Sequence, residues 1–200
     1  MAASRPHALA IVFDLDGTLV CECVCQHDHV RARPLVDDLL IAAFQECAVV
    51  GVWTAASRSW YERVHAHALA PALARVSERL GVRCDFDFVW TSERCTRSCR
   101  RRWYQVGEAE ATLHKRLSKL WRRRSRPYTY VRPENTLHID NTPSTFAKNY
   151  GNGIEIETYT CYDGDDDDDE CERVADLIRM LADTYARAGS IRHVEKRRFE

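Results

Sequence analysis

Residues 11–20 read IVFDLDGTLV, an apolar run that stops at two aspartates, Asp14 and Asp16, and continues into Gly17 and Thr18. Such a run suits a buried strand, and its abrupt polar ending sets two carboxylates at the C-terminal tip. A pair presented this way offers a nucleophile beside a general acid, the equipment for phosphoryl transfer through an aspartyl-phosphate. The same letters also fit a strand entering an ordinary Asp-Gly hairpin turn.

Two other stretches have this shape. AVVGVW at 48–53 is followed at once by Thr54, and TLHI at 136–139 by Asp140. Between the first run and the second lies LVDDLLIAAFQEC, with apolar residues at 35, 36, 39, 40, 43, 44 and 47, a helical spacing. Strand, helix and strand in that order give a βαβ unit and therefore an α/β fold with a central parallel sheet flanked by helices. Parallel sheets of this class bind ligands outside the carboxyl ends of their strands, so Asp14, Thr54 and Asp140 are expected to converge on one edge.

Further helices are expected over 59–80, broken near Pro71, over 108–121 on Leu113, Leu117 and Leu120, and over 170–185 on Val174, Leu177, Ile178, Leu181 and Tyr185. Aromatic and β-branched residues alternating with polar ones at 83–106 suggest two or three strands, a small β insert near the active site; 154–159 suggests another. The last ten residues are basic and aperiodic, and are expected to fray. At 200 residues with 45% apolar content, the chain fits a single domain over 1–200 with that insert and a basic tail at 190–200.

A net charge of -1 hides an asymmetry, with arginine concentrated at 94–132 and acid at 163–172. No run approaches the roughly 20 apolar residues that span a bilayer, and MAASRPHALA lacks the apolar segment of a secretory signal. A soluble intracellular protein with no membrane partner is expected, in the nucleus or the cytoplasm. Nine cysteines, an odd number without the spacing of a secreted disulfide scaffold, read as mostly reduced thiols.

The motifs together carry a resemblance. DLDGTLV at 14–20, RP at 33–34, WTAAS at 53–57 with Tyr61 beyond, Cys95 within ERCT, KRLSKL at 115–120 and IDNTPSTF at 139–146 stand in an order that resembles the haloacid dehalogenase superfamily. Within it the chain is most similar to the TFIIF-associating and small CTD phosphatases. The resemblance implies a Rossmann-like fold and an Mg²⁺-dependent phosphatase. Asp14 would attack phosphorus, while Asp16 would protonate the departing oxygen and then activate water. Thr54, the adjoining Ala55 and Lys115 would bind the phosphoryl group. Asn141 would ligate Mg²⁺ together with Asp14 and the backbone carbonyl of Asp16, and Asp140 would hold a metal-bound water; an oxygen-rich set of this kind suits Mg²⁺. The implied substrate is a phosphoserine or phosphothreonine in a protein or peptide.

Each role has a plainer rival. Thr54 could be a helix N-cap, Lys115 a solvated lysine replaced by Lys119 or Lys148, and Asp140-Asn141-Thr142-Pro143 a simple turn. The chain also departs from the family. Gly17 stands where CTD phosphatases usually have Glu, Arg116 stands where they tend to have Asp, and WRRRSRPYTYVRPENT between KRLSKL and IDNTPS is longer and more basic than the family connection.

Three clusters remain. Cys21, Cys23, Cys25, His27 and His29 are all competent zinc ligands. On an extended strand, however, alternate side chains lie about 6.6 Å apart, which favours a strand-forming flap with the cysteines packed as small hydrophobes. Arginines 97, 100–102, 122–124 and 126, interleaved with Trp103, Tyr104, Trp121, Tyr128 and Tyr130, could bind nucleic acid, grip a phosphorylated peptide, or be a solvated surface. DGDDDDDECE at 163–172 lacks the ligand spacing of an EF-hand and reads as an acidic loop leading into the final helix. Two rivals to the protein phosphatase follow: a phosphatase for a small phosphate ester or a nucleic-acid end, and a catalytically silent binding module on the same fold. The oligomeric state is open.

Overall fold

The computed structural model describes residues 9–23, 29–99, 111–161 and 168–196. Its first half runs β1 (Leu9–Phe13), β2 (Val20–Cys23), β3 (His29–Ala32), α1 (Val36–Glu46), β4 (Cys47–Trp53), α2 (Arg58–Val64), α3 (Ala70–Leu80) and β5 (Phe88–Trp90). The second half runs β6 (Thr96–Cys99), β7 (Ala111–His114), α4 (Ser118–Trp121), β8 (Thr136–Asp140), α5 (Pro143–Phe146), β9 (Gly153–Glu155) and α6 (Glu170–Ala188). Five strands pair in the order β5-β4-β1-β8-β9, every neighbouring pair parallel. This is the α/β architecture expected from the three apolar runs.

β1 shows why those runs are unbroken. Leu9, Ile11 and Phe13 enter the core shared with Leu39, Leu40, Val76, Val174 and Ile178, while Ala10 and Val12 enter a second core with Trp53, Trp90, Leu117 and Leu120. Both faces of the strand are covered, so each residue must be apolar. α1 packs against both α3 and α6.

Several elements differ from expectation. The 59–80 helix is not broken near Pro71; it runs on through a widened turn at His65–Leu69, where Ala70 N–H reaches back to the His65 carbonyl. Pro71 then sits in the first turn of α3, where its missing N–H is harmless. No helix covers 108–121 within the described residues: Ala111–His114 pairs antiparallel with Thr96–Cys99, and helix resumes only at Ser118. Within 83–106, Phe88–Trp90 is the edge strand of the central sheet and Thr96–Cys99 belongs to that separate antiparallel pair. The sequence after α6 is anchored rather than frayed as far as residue 196. Ile191 is buried, and Lys196 Nζ donates to the carbonyls of Gly151, Ile191 and Val194 at 3.1, 2.6 and 2.9 Å. The final four residues lie outside the description. No described helix is long and apolar enough to cross a membrane.

Candidate active site

The parallel register carries three polar tips to one edge. Phe13 aligns with Val52 on one side and Ile139 on the other, so Asp14, Thr54 and Asp140 all emerge at the C-terminal end of the sheet. Backbone bonds fix them there: Asp14 N–H donates to the Ile139 carbonyl at 2.8 Å, and Thr54 N–H to the Trp90 carbonyl at 2.9 Å.

Lys115 lies between the carboxylates of Asp14 and Asp140. Its Nζ is 2.5 Å from Asp14 Oδ1 and 2.7 Å from Asp140 Oδ2, and its side chain is 1% exposed. Lys119 instead donates to the Arg94 carbonyl, and Lys148 is exposed. The backbone explains why a short connection can aim a lysine so closely. Lys115 N–H donates to the Thr145 carbonyl, and Asn149 closes both sides by donating to the Lys115 carbonyl (2.6 Å) and accepting from Leu117 N–H (3.1 Å). Asp140 accepts from Thr142 N–H at 2.8 Å and from Thr145 Oγ1 at 2.7 Å.

One ammonium therefore serves two buried carboxylates. Burial pushes Asp14 up to about 7, helped by the charge of Asp140 and opposed by Lys115. Burial would raise Asp140 too, but His138, 3.4 Å away, and the ammonium hold it below the usual carboxylate range. Lys115 shifts upward because its two anionic neighbours outweigh the cost of its burial. Complete burial drives His138 downward, against the pull of Asp140, whose Oδ2 lies 3.4 Å from its Nε2.

Asp16 is held from the opposite side. Thr54 Oγ1 donates to its Oδ2 at 3.3 Å, and Trp60 Nε1 donates to its Oδ1 at 2.6 Å. Thr54 also accepts from Ala56 N–H, and the helix cap that Thr54 could have supplied is made by Ser57, which accepts from Trp60 N–H. Ala55 is exposed at this rim. Gly17 has φ +73°, and a Cβ there would lie 2.6 Å from Asn141 Nδ2. The turn after the first motif thus packs directly on Asn141, which donates to Thr158 Oγ1 and whose N–H is received by Thr18 Oγ1. A Cβ at position 17 would crowd the Asn141 amide and would stand at positive φ.

Arg33 ties this turn to the far side of the sheet. The buried guanidinium donates to the Thr18 carbonyl (3.3 Å), to the Glu157 carbonyl (2.8 Å) and to Asp168 (3.1 Å). The RP motif pointed to this residue without a role. Thr145 lies within the quoted IDNTPSTF motif but had no role there, and Trp60 and Asn149 lie outside every quoted motif. Ser57 as a cap three residues before Trp60 was the available signal for that residue, and nothing local marks Asn149.

The donor set suits a hard divalent cation. Asp14 and Asp140 carry one negative charge more than Lys115 balances, and Asn141 and the Asp16 carbonyl add neutral oxygens at the same edge. No three described His, Cys, Asp or Glu side chains gather to hold an ion, but a site made of one carboxylate, an amide oxygen, a backbone carbonyl and waters is not of that kind. As for zinc, Cys21 Sγ lies 2.8 Å from Cys161 Sγ. Cys25 and His27 lie outside the described residues, as do the side chains of Cys23 and His29. A cavity of about 600 Å³ between α5 and residues 192–196 contains none of the site carboxylates.

No curated protein sequence matches the chain significantly. Two solved structures share the fold. One is described as Fcp1, an essential RNA polymerase II CTD phosphatase; it is 11% identical, with TM-score 0.60, over 94% of this chain and 69% of that one. The other is a variant of the fission yeast RNA polymerase II CTD phosphatase Fcp1 bound to beryllium fluoride, 10% identical, with TM-score 0.55, over 94% of this chain and 70% of that one. The family profile of NLI interacting factor-like phosphatases matches residues 9–189. The chain belongs to the NLI interacting factor-like phosphatase family.

Proposed function

We propose that the chain is an Mg²⁺-dependent phosphomonoester hydrolase working through a phosphorylated Asp14, with phosphoserine or phosphothreonine of a protein as substrate. The observation that carries this reading is the opposed pair of carboxylates: Asp14 set against Lys115 and Asp140, and Asp16 held by Thr54 and Trp60. Asp14 attacks phosphorus, and the departing oxygen takes a proton from Asp16. Asp16 then takes a proton from the water that attacks the acyl phosphate, which frees phosphate and restores Asp14. Thr54 turns its hydroxyl from Asp16 toward a phosphoryl oxygen, and Lys115 offsets the charge shared by the nucleophile and the phosphoryl group. Asp14, Asn141 and the Asp16 carbonyl would hold Mg²⁺, with Asp140 contacting it through water; the ion supplies further charge neutralisation and orientation.

The protein substrate is supported by family membership and by two structural neighbours described as CTD phosphatases. The basic connection at 121–132 keeps nucleic-acid ends in the test. Hydrolysis of an aryl phosphate is measured with and without Mg²⁺ for wild type and Asp14→Asn, followed by phosphopeptides, nucleotides and 5′-phosphorylated oligonucleotides. Mg²⁺-dependent turnover that Asp14→Asn abolishes is expected, with phosphopeptides preferred. Turnover indifferent to Asp14→Asn would refute the mechanism, and preference for nucleic-acid ends would refute the substrate.

A further inference from the structure

The edge of the sheet beside Thr54 carries cations that the reaction does not use. Trp90, at the end of β5, is the register partner of Trp53, and its carbonyl receives Thr54 N–H. Its indole N–H donates to Tyr128 Oη at 3.1 Å, so Trp90 and Tyr128 form one aromatic shelf. Two guanidinium groups lie over it. Arg94 is 5.7 Å from the Trp90 ring, and Arg123 is 5.3 Å from Trp90 and 5.1 Å from Tyr128. Lys119 joins them by donating to the Arg94 carbonyl. Backbone bonds stitch this group to the phosphoryl-binding rim, because Ser92 N–H donates to the Ala56 carbonyl and Cys95 Sγ approaches the Thr54 carbonyl.

None of these three cations has a carboxylate partner among the described residues. The guanidinium N–H groups of Arg94 and Arg123 make no hydrogen bond there either. The sequence sharpens the imbalance: residues 111–132 contain eight lysines and arginines and no acidic residue. Two guanidinium groups gathered over one aromatic pair are partly ordered in advance, so less freedom is lost when they take an anion. Arg123 and Tyr128 lie in the basic connection by which the chain departs from its family.

We propose that Arg94, Lys119 and Arg123 on the Trp90–Tyr128 shelf form a second anion subsite, which takes an acidic group of a phosphopeptide whose scissile phosphoester is bound at Asp14. The inference rests on the phosphatase reading and names the substrate class more narrowly. β5 lies two strand spacings of about 4.8 Å each from β1, and an arginine reaches about 5 Å further, so about four extended residues separate the two anions. A phosphate fits best, since its oxygens accept from two guanidinium groups and an ammonium at once, and a glutamate offers the same chemistry with less charge.

The test compares peptides that carry one phosphoserine, the same peptides with a second phosphoserine one to five residues away on either side, and versions with glutamate at the second position. Wild type and the triple variant Arg94→Gln, Lys119→Gln, Arg123→Gln are assayed, with aryl phosphate as the reference substrate. In wild type, kcat/KM for the doubly phosphorylated peptide exceeds that for the singly phosphorylated one by about tenfold at a spacing near four, through KM rather than kcat; glutamate gives part of the gain. The gain shrinks between 50 and 300 mM salt, as the Debye length falls, and in the variant the ratio drops to near one. A wild-type ratio near one at every spacing overturns the subsite, as does a ratio that survives in the variant. Stronger competition by a single-stranded oligonucleotide than by the doubly phosphorylated peptide overturns the peptide assignment. If wild type hydrolyses neither aryl phosphate nor any peptide, the phosphatase reading fails and this inference falls with it; turnover without the ratio refutes the subsite alone.

Discussion

Replacing Lys115 by methionine keeps most of the side chain's length and removes the ammonium that lies between Asp14 and Asp140. Breaking a buried charge group in this way costs about 3–5 kcal/mol, because the surviving charges lose their partner and cannot reach water. The pH dependence follows from the same geometry. Of the two carboxylates in wild type, only Asp14, at about 7, takes up a proton between pH 7.5 and 5.5, since Asp140 is held below the usual range. Without the ammonium both carboxylates shift above their unfolded value of 3.8. A folded-state pKa raised in this way makes folding take up a proton, so lowering the pH favours the folded variant more than the folded wild type. One additional proton corresponds to about 1.4 kcal/mol per pH unit. The deficit of Lys115→Met should therefore fall from about 4 kcal/mol at pH 7.5 to about 1–2 kcal/mol at pH 5.5. Urea unfolding followed by the fluorescence of the buried Trp53 and Trp90 measures it. A deficit under about 1 kcal/mol at pH 7.5, or one that is equal at the two pH values, would refute the argument.

Three further outcomes are expected. Gly17→Ala forces a Cβ against Asn141 and a side chain into positive φ, so stability falls by about 1–2 kcal/mol, and half-saturating Mg²⁺ rises severalfold in a titration of activity; an unchanged Mg²⁺ requirement contradicts the packing of this turn on Asn141. Trp60→Phe removes a donor to Asp16 while keeping the ring, and kcat should drop about tenfold with little change in KM; a drop confined to KM speaks against its role in orienting Asp16. Because a protonated Asp14 cannot attack, kcat/KM at low Mg²⁺ should rise with pH through about 7, and the rise should move to lower pH as Mg²⁺ is added, which pH-rate profiles at two Mg²⁺ concentrations test.

Much of the architecture was legible because β1, β4 and β8 are buried on both faces and therefore read as short apolar runs with a polar stop. The final helix was legible for a related reason: its stripe of Val174, Ile178 and Leu181 faces one core continuously. Residues 108–121 misled because Leu113, Leu117 and Leu120 have helical spacing. In the fold Leu113 sits on a strand, and the chain at Lys115 is turned by bonds to Thr145 and Asn149, thirty or more residues away. Spacing cannot report a partner so distant. Trp60 and Arg33 act by the same kind of long-range contact. Gly17 was conspicuous as a departure, yet its closeness to Asn141 exists only once β1 and β8 are side by side.

The central claim is that Asp14 carries the phosphoryl group. An acyl phosphate is reduced by borohydride, which converts the aspartate into homoserine. The enzyme is therefore quenched with borohydride during turnover of aryl phosphate in Mg²⁺, and the modified residue is located by peptide mass spectrometry. Homoserine at position 14, appearing only with substrate and Mg²⁺, is the predicted result. Continued turnover with position 14 unmodified, or with the label at another carboxylate, would contradict the account.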